Sequence, residues 1–317
     1  LLTLGADPEM FVFSGQKLIP AYEFLPPKGE DNLMYWDGFQ AEWKYNHEGN
    51  HCQNNLVLYT REYLQALQSK ALAHNSRARL SLTNVVRIPD MTLNTACHRH
   101  VELGCMPSYN AYKMKGEVVL DPRKLKYRFA GGHMHFGTWT VRPQYEKIVK
   151  TLDKILGVWS VGVARFLDNP IRRQYCGLAG EYRKPHYDNG YGVEYRVLSN
   201  FWLDSPGLLQ LTWDIGRLCV RLAASRYGNM WAATEQEVIE TINNCDFGQA
   251  SRILERNRSM FTWMLHQVYP SREAVNKAVE LSQQGLEIGD DFTKNWHFED
   301  KWIENAGQPW ARWETSC

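Results

Sequence analysis

The chain has 317 residues, of which 44% are hydrophobic, so it can bury a sizeable core as one large domain or two modest ones. The formal net charge of +1 and the pI of about 7.7 exclude a strongly basic or acidic surface, and we expect no nucleic-acid partner and no membrane association. No apolar run approaches the ~20 residues of a membrane span, and the seven cysteines include no Cys-x-x-Cys pair, which indicates reduced thiols and a cytoplasmic protein.

The chain opens with a predicted strand over residues 2–13, in which apolar residues flank two acidic ones. Successive side chains of a strand point to opposite faces, so Asp7 and Glu9 share one face. A further strand follows the turn at residues 36–39 and carries Glu42 between two apolar residues. Carboxylates are rarely buried without a partner, which makes Glu42 a candidate site residue.

The segment His47-Glu48-Gly49-Asn50-His51 matches the His-Glu-x-x-His pattern of zinc proteases. That chemistry needs a helix, because only there do histidines four residues apart share a face. Gly49 and Asn50 both disfavour a helix interior, and the next clear helical periodicity covers residues 56–74. We therefore favour a loop at the rim of a sheet over a zinc protease site.

A central strand is predicted at residues 131–137, with the sequence Gly-Gly-His-Met-His-Phe-Gly. Its alternation places His133 and His135 on one face and apolar side chains on the other. A long amphipathic helix, predicted at residues 145–166, then covers the apolar face.

An arginine-rich segment at residues 172–184 precedes a strand in which Glu194 and Arg196 share one face. Guanidinium groups bind phosphate through a bidentate fork, so Arg173 and Arg183 are candidate contacts of a polyphosphate. The alternative for this segment is an ordinary solvated basic loop.

Three strands therefore each carry a pair of polar side chains on one face. If these strands lie in one sheet, carboxylates, imidazoles and a guanidinium share a single surface. Carboxylate oxygens with a minority of imidazole suit Mg²⁺ or Mn²⁺ better than a structural zinc site. Each pair alone is more typical of a solvated sheet face, and the coincidence of three favours a site.

Helical periodicity dominates the last third of the chain, with helices predicted at residues 208–227, 235–243, 249–268 and 273–285. The end of the sequence is rich in tryptophan, with Trp296, Trp302, Trp310 and Trp313. We expect residues 1–205 to form a catalytic sheet domain with covering helices. Residues 206–317 are expected to form a helical part packed on the same domain.

Several of these motifs together resemble the amidoligases of the type-2 carboxylate-amine ligase family, which are often found in phages. That family belongs to the glutamine synthetase and glutamate-cysteine ligase superfamily. The resemblance rests on Gly-Ala-Asp-Pro-Glu-Met-Phe-Val at 5–12, Ala-Glu at 41–42, Leu-Gly-Cys-Met-Pro-Ser-Tyr-Asn-Ala-Tyr at 103–112, Gly-Gly-His-Met-His-Phe-Gly at 131–137, Gly-x-Ala-Gly with Tyr-Arg at 177–183, and Tyr-Gly-Val-Glu-Tyr-Arg-Val-Leu-Ser-Asn-Phe-Trp at 191–202. The histidine and Glu-Tyr-Arg motifs are the most specific of these.

The resemblance implies an α+β fold in which an antiparallel sheet forms one wall of a funnel of the glutamine synthetase type. Helices back this sheet, a helical extension follows it, and ATP with Mg²⁺, or Mn²⁺ in its place, binds over it. Asp7, His133 and Glu194 then correspond to ligands of the cation that bridges the transferred phosphate. Glu9 and Glu42 correspond to ligands of a second cation, for which the motifs supply no third carboxylate.

The same resemblance assigns phosphate contacts to His135, Arg196 and Arg183. It implies ATP-dependent formation of an amide or peptide-like bond, through an acyl phosphate, between a small-molecule or peptide carboxylate and an amine. It leaves a homo-oligomer open, and it implies the host cytoplasm as the location if the chain is phage-encoded.

Two other functions fit the same residues. An ATP-dependent guanidino kinase, or another small-molecule kinase of the superfamily, would stop after phosphoryl transfer. A catalytically silent nucleotide-binding or assembly module would use the tryptophan-rich end as an interaction surface. The intact set of acidic residues favours an enzyme over the silent module.

Overall fold

A computed structural model describes residues 2–29, 32–45, 53–104, 108–116, 121–187, 190–225, 230–286 and 291–298. The His-Glu-x-x-His segment at 47–51 lies outside the described residues, as do Trp302, Trp310 and Trp313, so their roles stay predictions. Within the described ranges, no helix is both long enough and apolar enough to cross a membrane.

The organising element is β1 (Thr3–Ser14), a long strand that pairs with partners along its whole length. The other strands are β2 (Lys17–Ile19), β3 (Met34–Asp37), β4 (Gln40–Trp43), β5 (Ala78–Ser81), β6 (Val85–Arg87), β7 (Tyr109–Asn110), β8 (Tyr127–Phe129), β9 (Gly132–Trp139), β10 (Glu181–Arg183), β11 (His186–Tyr187) and β12 (Gly190–Tyr195). Ten strands form one sheet, in the order β3-β4-β1-β9-β12-β10-β7 along its main path, and β6 pairs with β8 separately. All pairings between these named strands are antiparallel, as predicted, whereas the funnel shape stays a prediction.

Helices make up much of the rest of the described chain. The α-helices are α1 (Gln53–His74), α2 (Asp90–Thr95), α3 (His98–Val101), α4 (Tyr145–Leu152), α5 (Val158–Ala164), α6 (Pro170–Tyr175), α7 (Pro206–Ala223), α8 (Glu235–Asn243), α9 (Phe247–Arg256), α10 (Arg258–Leu265) and α11 (Arg272–Gln284). Short 3₁₀ helices cover Ala21–Glu23, Arg165–Leu167, Asn200–Asp204 and Phe292–Trp296. The fold is therefore a mixed one, with an antiparallel sheet and many helices.

The apolar face of β9 packs against the C-terminal helical part of the chain. Met134 and Phe136 are fully buried, and the Phe136 ring meets the edge of Trp213 on α7 at a centroid distance of 6.0 Å. Gly216 of α7 allows this approach, because a Cβ there would lie 2.7 Å from Phe136 Cζ. One hydrophobic core thus includes residues of both predicted parts, and it leaves the histidine face of β9 on the other side of the sheet.

The helix predicted at residues 145–166 contains a π-helical segment, Asp153–Gly157, between α4 and α5. Such segments are rare and change the direction in which side chains point. Asp153 is fully buried, and its Oδ1 accepts a hydrogen bond of 2.6 Å from the Tyr195 hydroxyl. This contact ties the helix to the end of β12.

The helix predicted at residues 249–268 is two helices, α9 and α10, that break at Asn257. The Asn257 side chain accepts a hydrogen bond of 2.7 Å from the Ala232 backbone N–H and donates one of 2.8 Å to the Ile253 carbonyl. This side chain competes with helical hydrogen bonding, as asparagine often does, and it fixes the preceding loop.

Candidate functional site

Four of the predicted site residues meet on three neighbouring strands. Asp7 of β1 lies opposite His133 of β9, and His135 of β9 lies opposite Glu194 of β12. Asp7 Oδ1 is 3.2 Å from His135 Nε2 and 3.4 Å from His133 Nδ1, and His133 Nδ1 is 3.9 Å from Glu194 Oε1. One ligand atom each of Asp7, His135 and Glu194 lie within 4.8 Å of one another, close enough to hold a metal ion. We call these four residues the first cluster.

A second cluster forms beside the first, because Glu9 shares a face of β1 with Asp7. Glu9 lies directly opposite Glu42 of β4, and one oxygen each of Glu9, Asp37 and Glu42 lie within 4.8 Å of one another. The Tyr35 hydroxyl donates a hydrogen bond of 2.7 Å to Glu42 Oε1, and Lys28 Nζ lies 3.3 Å from the same oxygen. We call Glu9, Asp37 and Glu42 the second cluster.

Asp37 is the third carboxylate that the motifs did not supply. The turn between β3 and β4 has two residues, with Gly38 at φ 64°, so Asp37 pairs with Gln40 and Tyr35 pairs with Glu42. Residues two apart on a strand share a face, which places Asp37 on the Glu42 side. Glycine at the first position of a two-residue turn is typical of a tight hairpin, and this register could have placed Asp37 from the sequence.

Opposite charges dominate the first cluster. Burial alone would raise the pKa of Asp7, but the neighbouring His135 and His133 hold it well below its ordinary value. Burial works against the charged form of His135, yet Asp7 outweighs it and the pKa of His135 is raised. Burial and the nearby Arg196 lower the pKa of His133. Asp7 is therefore ionised and His133 favours its neutral form, which are the states in which these side chains bind metal.

Burial and like charges act in the same direction in the second cluster. Burial, together with Asp37 and Glu42, raises the pKa of Glu9 well above its ordinary value. Burial and then Asp7 raise the pKa of Glu42 to about 7, and burial is also the main cause of the raised pKa of Asp37. Three carboxyl groups that disfavour each other's ionisation are stabilised by a bound cation.

Two arginines approach Glu194. Arg196 is 2% exposed, and its Nη1 donates a hydrogen bond to Glu194 Oε1. Arg183 Nη1 lies 3.7 Å from the same oxygen, while its Nη2 donates a hydrogen bond of 3.0 Å to the Gly104 carbonyl. A Cβ on Gly104 would lie 2.5 Å from Asp37 Oδ2. The loop that contains Gly104 therefore lies against both the second cluster and the Arg183 side chain.

The structure places Arg173 behind the site rather than in it. Arg173 lies on α6, is 1% exposed, and donates hydrogen bonds to the carbonyls of Gly177 and Val197 and to Asp168. The neighbouring Arg172 is also buried and donates to the carbonyls of Val197 and Leu198 at 3.1 and 2.8 Å. Because these guanidinium groups fix the backbone that follows Arg196, we leave Arg173 out of the proposed phosphate contacts.

Backbone contacts hold Glu9 in place. Glu9 Oε2 accepts a hydrogen bond of 2.6 Å from the Gly131 N–H, and the Glu9 carbonyl accepts one of 2.9 Å from Asn200 Nδ2. At the next position, a Cβ on Gly132 would lie 2.4 Å from the Ser199 carbonyl oxygen. Gly132 thus allows the Ser199 backbone to approach β9 closely, while the Gly131 N–H holds the Glu9 carboxylate.

Comparison with known families identifies the chain. The model of the family described as "Phage phiEco32-like COOH.NH2 ligase-type 2" matches residues 123–298, which is more than half of the chain. The chain belongs to this family. The membership confirms the predicted family, and the family's description supports an enzyme with carboxylate-amine ligase activity. No curated protein matches the chain.

The matched segment contains only part of the site. It includes the two histidines of the first cluster, Glu194 and both arginines that approach it. Glu9, Asp37, Glu42 and Asp7 precede it in the sequence, and only the folding of β1, β3 and β4 onto the matched part brings them to the same surface.

Proposed function

We propose that this protein is an ATP-dependent carboxylate-amine ligase that forms an amide or peptide-like bond through an acyl phosphate. The observation that carries the proposal is the position of the two clusters side by side on one face of the sheet, with Arg196 and Arg183 at their border. Membership in a family described as carboxylate-amine ligases supports the same function.

The proposed reaction accounts for the charged side chains on this surface. A carboxylate is a poor electrophile, so one of its oxygens first attacks the γ-phosphorus of ATP, and ADP leaves. An amine nitrogen then attacks the acyl carbon, and phosphate leaves with the oxygen that came from the acid. Enzymatic phosphoryl transfer depends mainly on positioning and on neutralisation of charge, which do not require a protein nucleophile.

The donor atoms of both clusters fit a hard divalent cation. Asp7, His133 and Glu194 would hold one Mg²⁺ or Mn²⁺, with His135 within reach, since carboxylate oxygen and imidazole nitrogen are suitable ligands. When bound, the cation neutralises charge on the phosphate oxygens.

The second cluster fits a second cation. Glu9, Asp37 and Glu42 present carboxylate oxygens only, which suits Mg²⁺ and Mn²⁺. Burial and neighbouring carboxylates raise the pKa of each of these three groups, and a bound cation would favour their ionised forms. This position lies on the Gly104 side of the site.

The arginines would act on the transferred phosphoryl group. Arg196 donates a hydrogen bond to Glu194, so its guanidinium would offer positive charge to a phosphoryl group bound at the first cluster. Arg183 is 32% exposed and sits at the mouth of the same region, where the phosphates of ATP would pass. His135 would donate a hydrogen bond to a phosphate oxygen from the floor of the site.

A product screen tests the proposal. The protein would be incubated with ATP, Mg²⁺ and a pool of amino acids, polyamines and peptides, and the mixture would be examined by mass spectrometry. We expect a condensation product, with ADP and phosphate formed in equal amounts. Glu42→Gln should abolish it, whereas Glu240→Gln, which changes an exposed carboxylate on α8, should not.

Two results would contradict the proposal. A phosphorylated acceptor without any amide product would identify a kinase. Binding of ATP without turnover of any member of the pool, or of larger pools of acids and amines, would indicate a silent nucleotide-binding module.

A further inference from the structure

A lysine that belongs to neither cluster lies against the second one. The Trp36 N–H of β3 donates a hydrogen bond of 3.0 Å to the Pro26 carbonyl, which fixes the segment that contains Lys28 beside this strand. Lys28 Nζ lies 3.3 Å from Glu42 Oε1 and 4.8 Å from the centroid of the Tyr35 ring. The Lys28 ammonium therefore donates a hydrogen bond to a residue that we assign to the second cation.

The surroundings of this ammonium are acidic. Glu42 shares the second cluster with Glu9 and Asp37, so three carboxylates are close together where Lys28 approaches. Lysine has an ordinary pKa of about 10.4 and is charged at neutral pH. Its positive charge therefore offsets part of the negative charge of the second cluster.

A divalent cation and the Lys28 ammonium would compete for the same negative charge. A cation held by Glu9, Asp37 and Glu42 would lie close to Nζ, and like charges at such short range repel each other. The lysine is the easier of the two to displace, because its side chain is 66% exposed and exposed ion pairs are weak. The divalent cation, by contrast, would draw on three carboxylates.

We propose that Lys28 is a tethered competitor of the second cation: its ammonium offsets the charge of the second cluster, and a divalent cation that binds there displaces it. This inference rests on the second cation of the proposed function, and it adds the residue that lowers the affinity for that cation. Linkage is reciprocal, so the free energy that Lys28 contributes to the protein without metal is subtracted from the binding of the cation.

Manganese binding tests the competition without turnover. The full-length protein would be titrated with Mn²⁺, and free Mn²⁺ would be followed by electron paramagnetic resonance. Lys28→Met removes the charge and keeps a long side chain, so it should tighten binding at the second cluster by about two- to fivefold, the scale of one exposed ion pair. Lys28→Arg keeps the charge and should bind as the wild type does. Unchanged or weaker binding by Lys28→Met would overturn the proposal.

Further variants assign the effect to the second cluster. Glu9→Gln removes one carboxylate of this cluster, so it should abolish one equivalent of Mn²⁺, and Lys28→Met should lose most of its effect in that background. An effect of the same size there would show that Lys28 acts as a general surface charge. Lys126→Met is the matched control, because Lys126 forms an exposed ion pair of 2.9 Å with Asp90 outside both clusters, and it should bind Mn²⁺ as the wild type does.

The titration also separates this inference from the proposed function. A single Mn²⁺ equivalent in both the wild type and Lys28→Met would refute the second cation, and the competition with it. Two equivalents whose affinities do not respond to Lys28→Met would refute the competition alone.

Unfolding by urea provides a second readout. Lys28→Met loses the ion pair with Glu42, so in EDTA it should unfold at a lower urea concentration than the wild type. In saturating Mn²⁺ the ion pair is displaced in the wild type as well, so both proteins should unfold at the same urea concentration. A deficit of equal size under both conditions would show that Lys28 keeps its contact beside the bound cation, and would contradict the proposal.

Discussion

Glu9 of β1 and Glu42 of β4 lie directly opposite each other in the antiparallel ladder, and Glu42 is buried. Carboxylates in such positions repel each other. Burial, Asp37 and Glu42 raise the pKa of Glu9, and burial and Asp7 raise the pKa of Glu42 to about 7. A bound cation would neutralise the repulsion between these two carboxylates, and the predictions for the acidic residues rest on that role.

Replacement of one acid of this pair should stabilise the protein in the absence of metal. Glu42→Gln keeps an acceptor for Tyr35 and removes one charge from the second cluster. We expect the free energy of unfolding in EDTA to rise by about 0.2 to 1 kcal/mol, the scale of a like-charge pair on a sheet. Thermal unfolding with and without Mn²⁺ provides the measurement. A less stable variant in EDTA would mark Glu42 as a structural residue.

Replacement of Glu194, by contrast, should destabilise the protein in the absence of metal. Its carboxylate accepts a hydrogen bond from the buried Arg196 and lies near Arg183 and His133. Glu194→Gln leaves the Arg196 guanidinium buried beside a neutral amide, so the free energy of unfolding in EDTA should fall by about 3 kcal/mol or more. Urea unfolding measures this change. Equal stability of Glu194→Gln and wild type would show that the ion pair contributes nothing to the fold.

Arg196→Lys tests the role proposed for the guanidinium in phosphoryl transfer. Lysine keeps the charge but loses the planar fork that meets two phosphate oxygens at once. We expect kcat to fall by about 10²-fold, the scale of losing one preorganised donor, with little change in KM for the amine. Steady-state kinetics with the product found in the screen provide the measurement. A variant whose only defect is a higher KM for the amine would contradict the phosphate contact.

Asp153 should make stability depend on pH. Burial raises its pKa to about 7, although Tyr195 donates a hydrogen bond to it. The unfolded chain, with an aspartate pKa of about 3.9, releases this proton more easily, so the free energy of unfolding falls as pH rises between about 4 and 7. The Asp153→Asn variant has no carboxyl group at this position and therefore lacks this pH dependence.

The variant should therefore gain stability relative to wild type as pH rises. We expect the difference between the two free energies of unfolding to change by about 2 to 3 kcal/mol in favour of Asp153→Asn from about pH 5 to pH 8. Urea unfolding at both pH values measures it. A difference that is the same at both values would show that Asp153 is ionised in the folded protein throughout this range.

The shared faces of the site strands could be predicted from the sequence, because alternation along a strand is a local property. It placed Asp7 with Glu9, His133 with His135, and Glu194 with Arg196. The hairpin that adds Asp37 is local as well, since its two-residue turn fixes the register. What alternation cannot give is the order of the strands, which decides that β1 lies between β4 and β9.

Other features depend on tertiary contacts that leave no local pattern. The arginine-rich segment is typical of a solvated loop, yet Arg172 and Arg173 are buried because the carbonyls of Val197 and Leu198 lie within reach of their guanidinium groups. The break at Asn257 likewise depends on a loop far away in sequence, which its side chain contacts.

The transfer of oxygen from acid to phosphate tests the central claim most directly. The substrate pool would be prepared with ¹⁸O in its carboxylates and incubated with the protein, ATP and Mg²⁺, and the released phosphate would be analysed by mass spectrometry. The account predicts phosphate that carries one ¹⁸O atom, because the acid oxygen that attacks the γ-phosphorus leaves with it. Phosphate without ¹⁸O, released together with ADP and an amide product, would contradict the acyl phosphate.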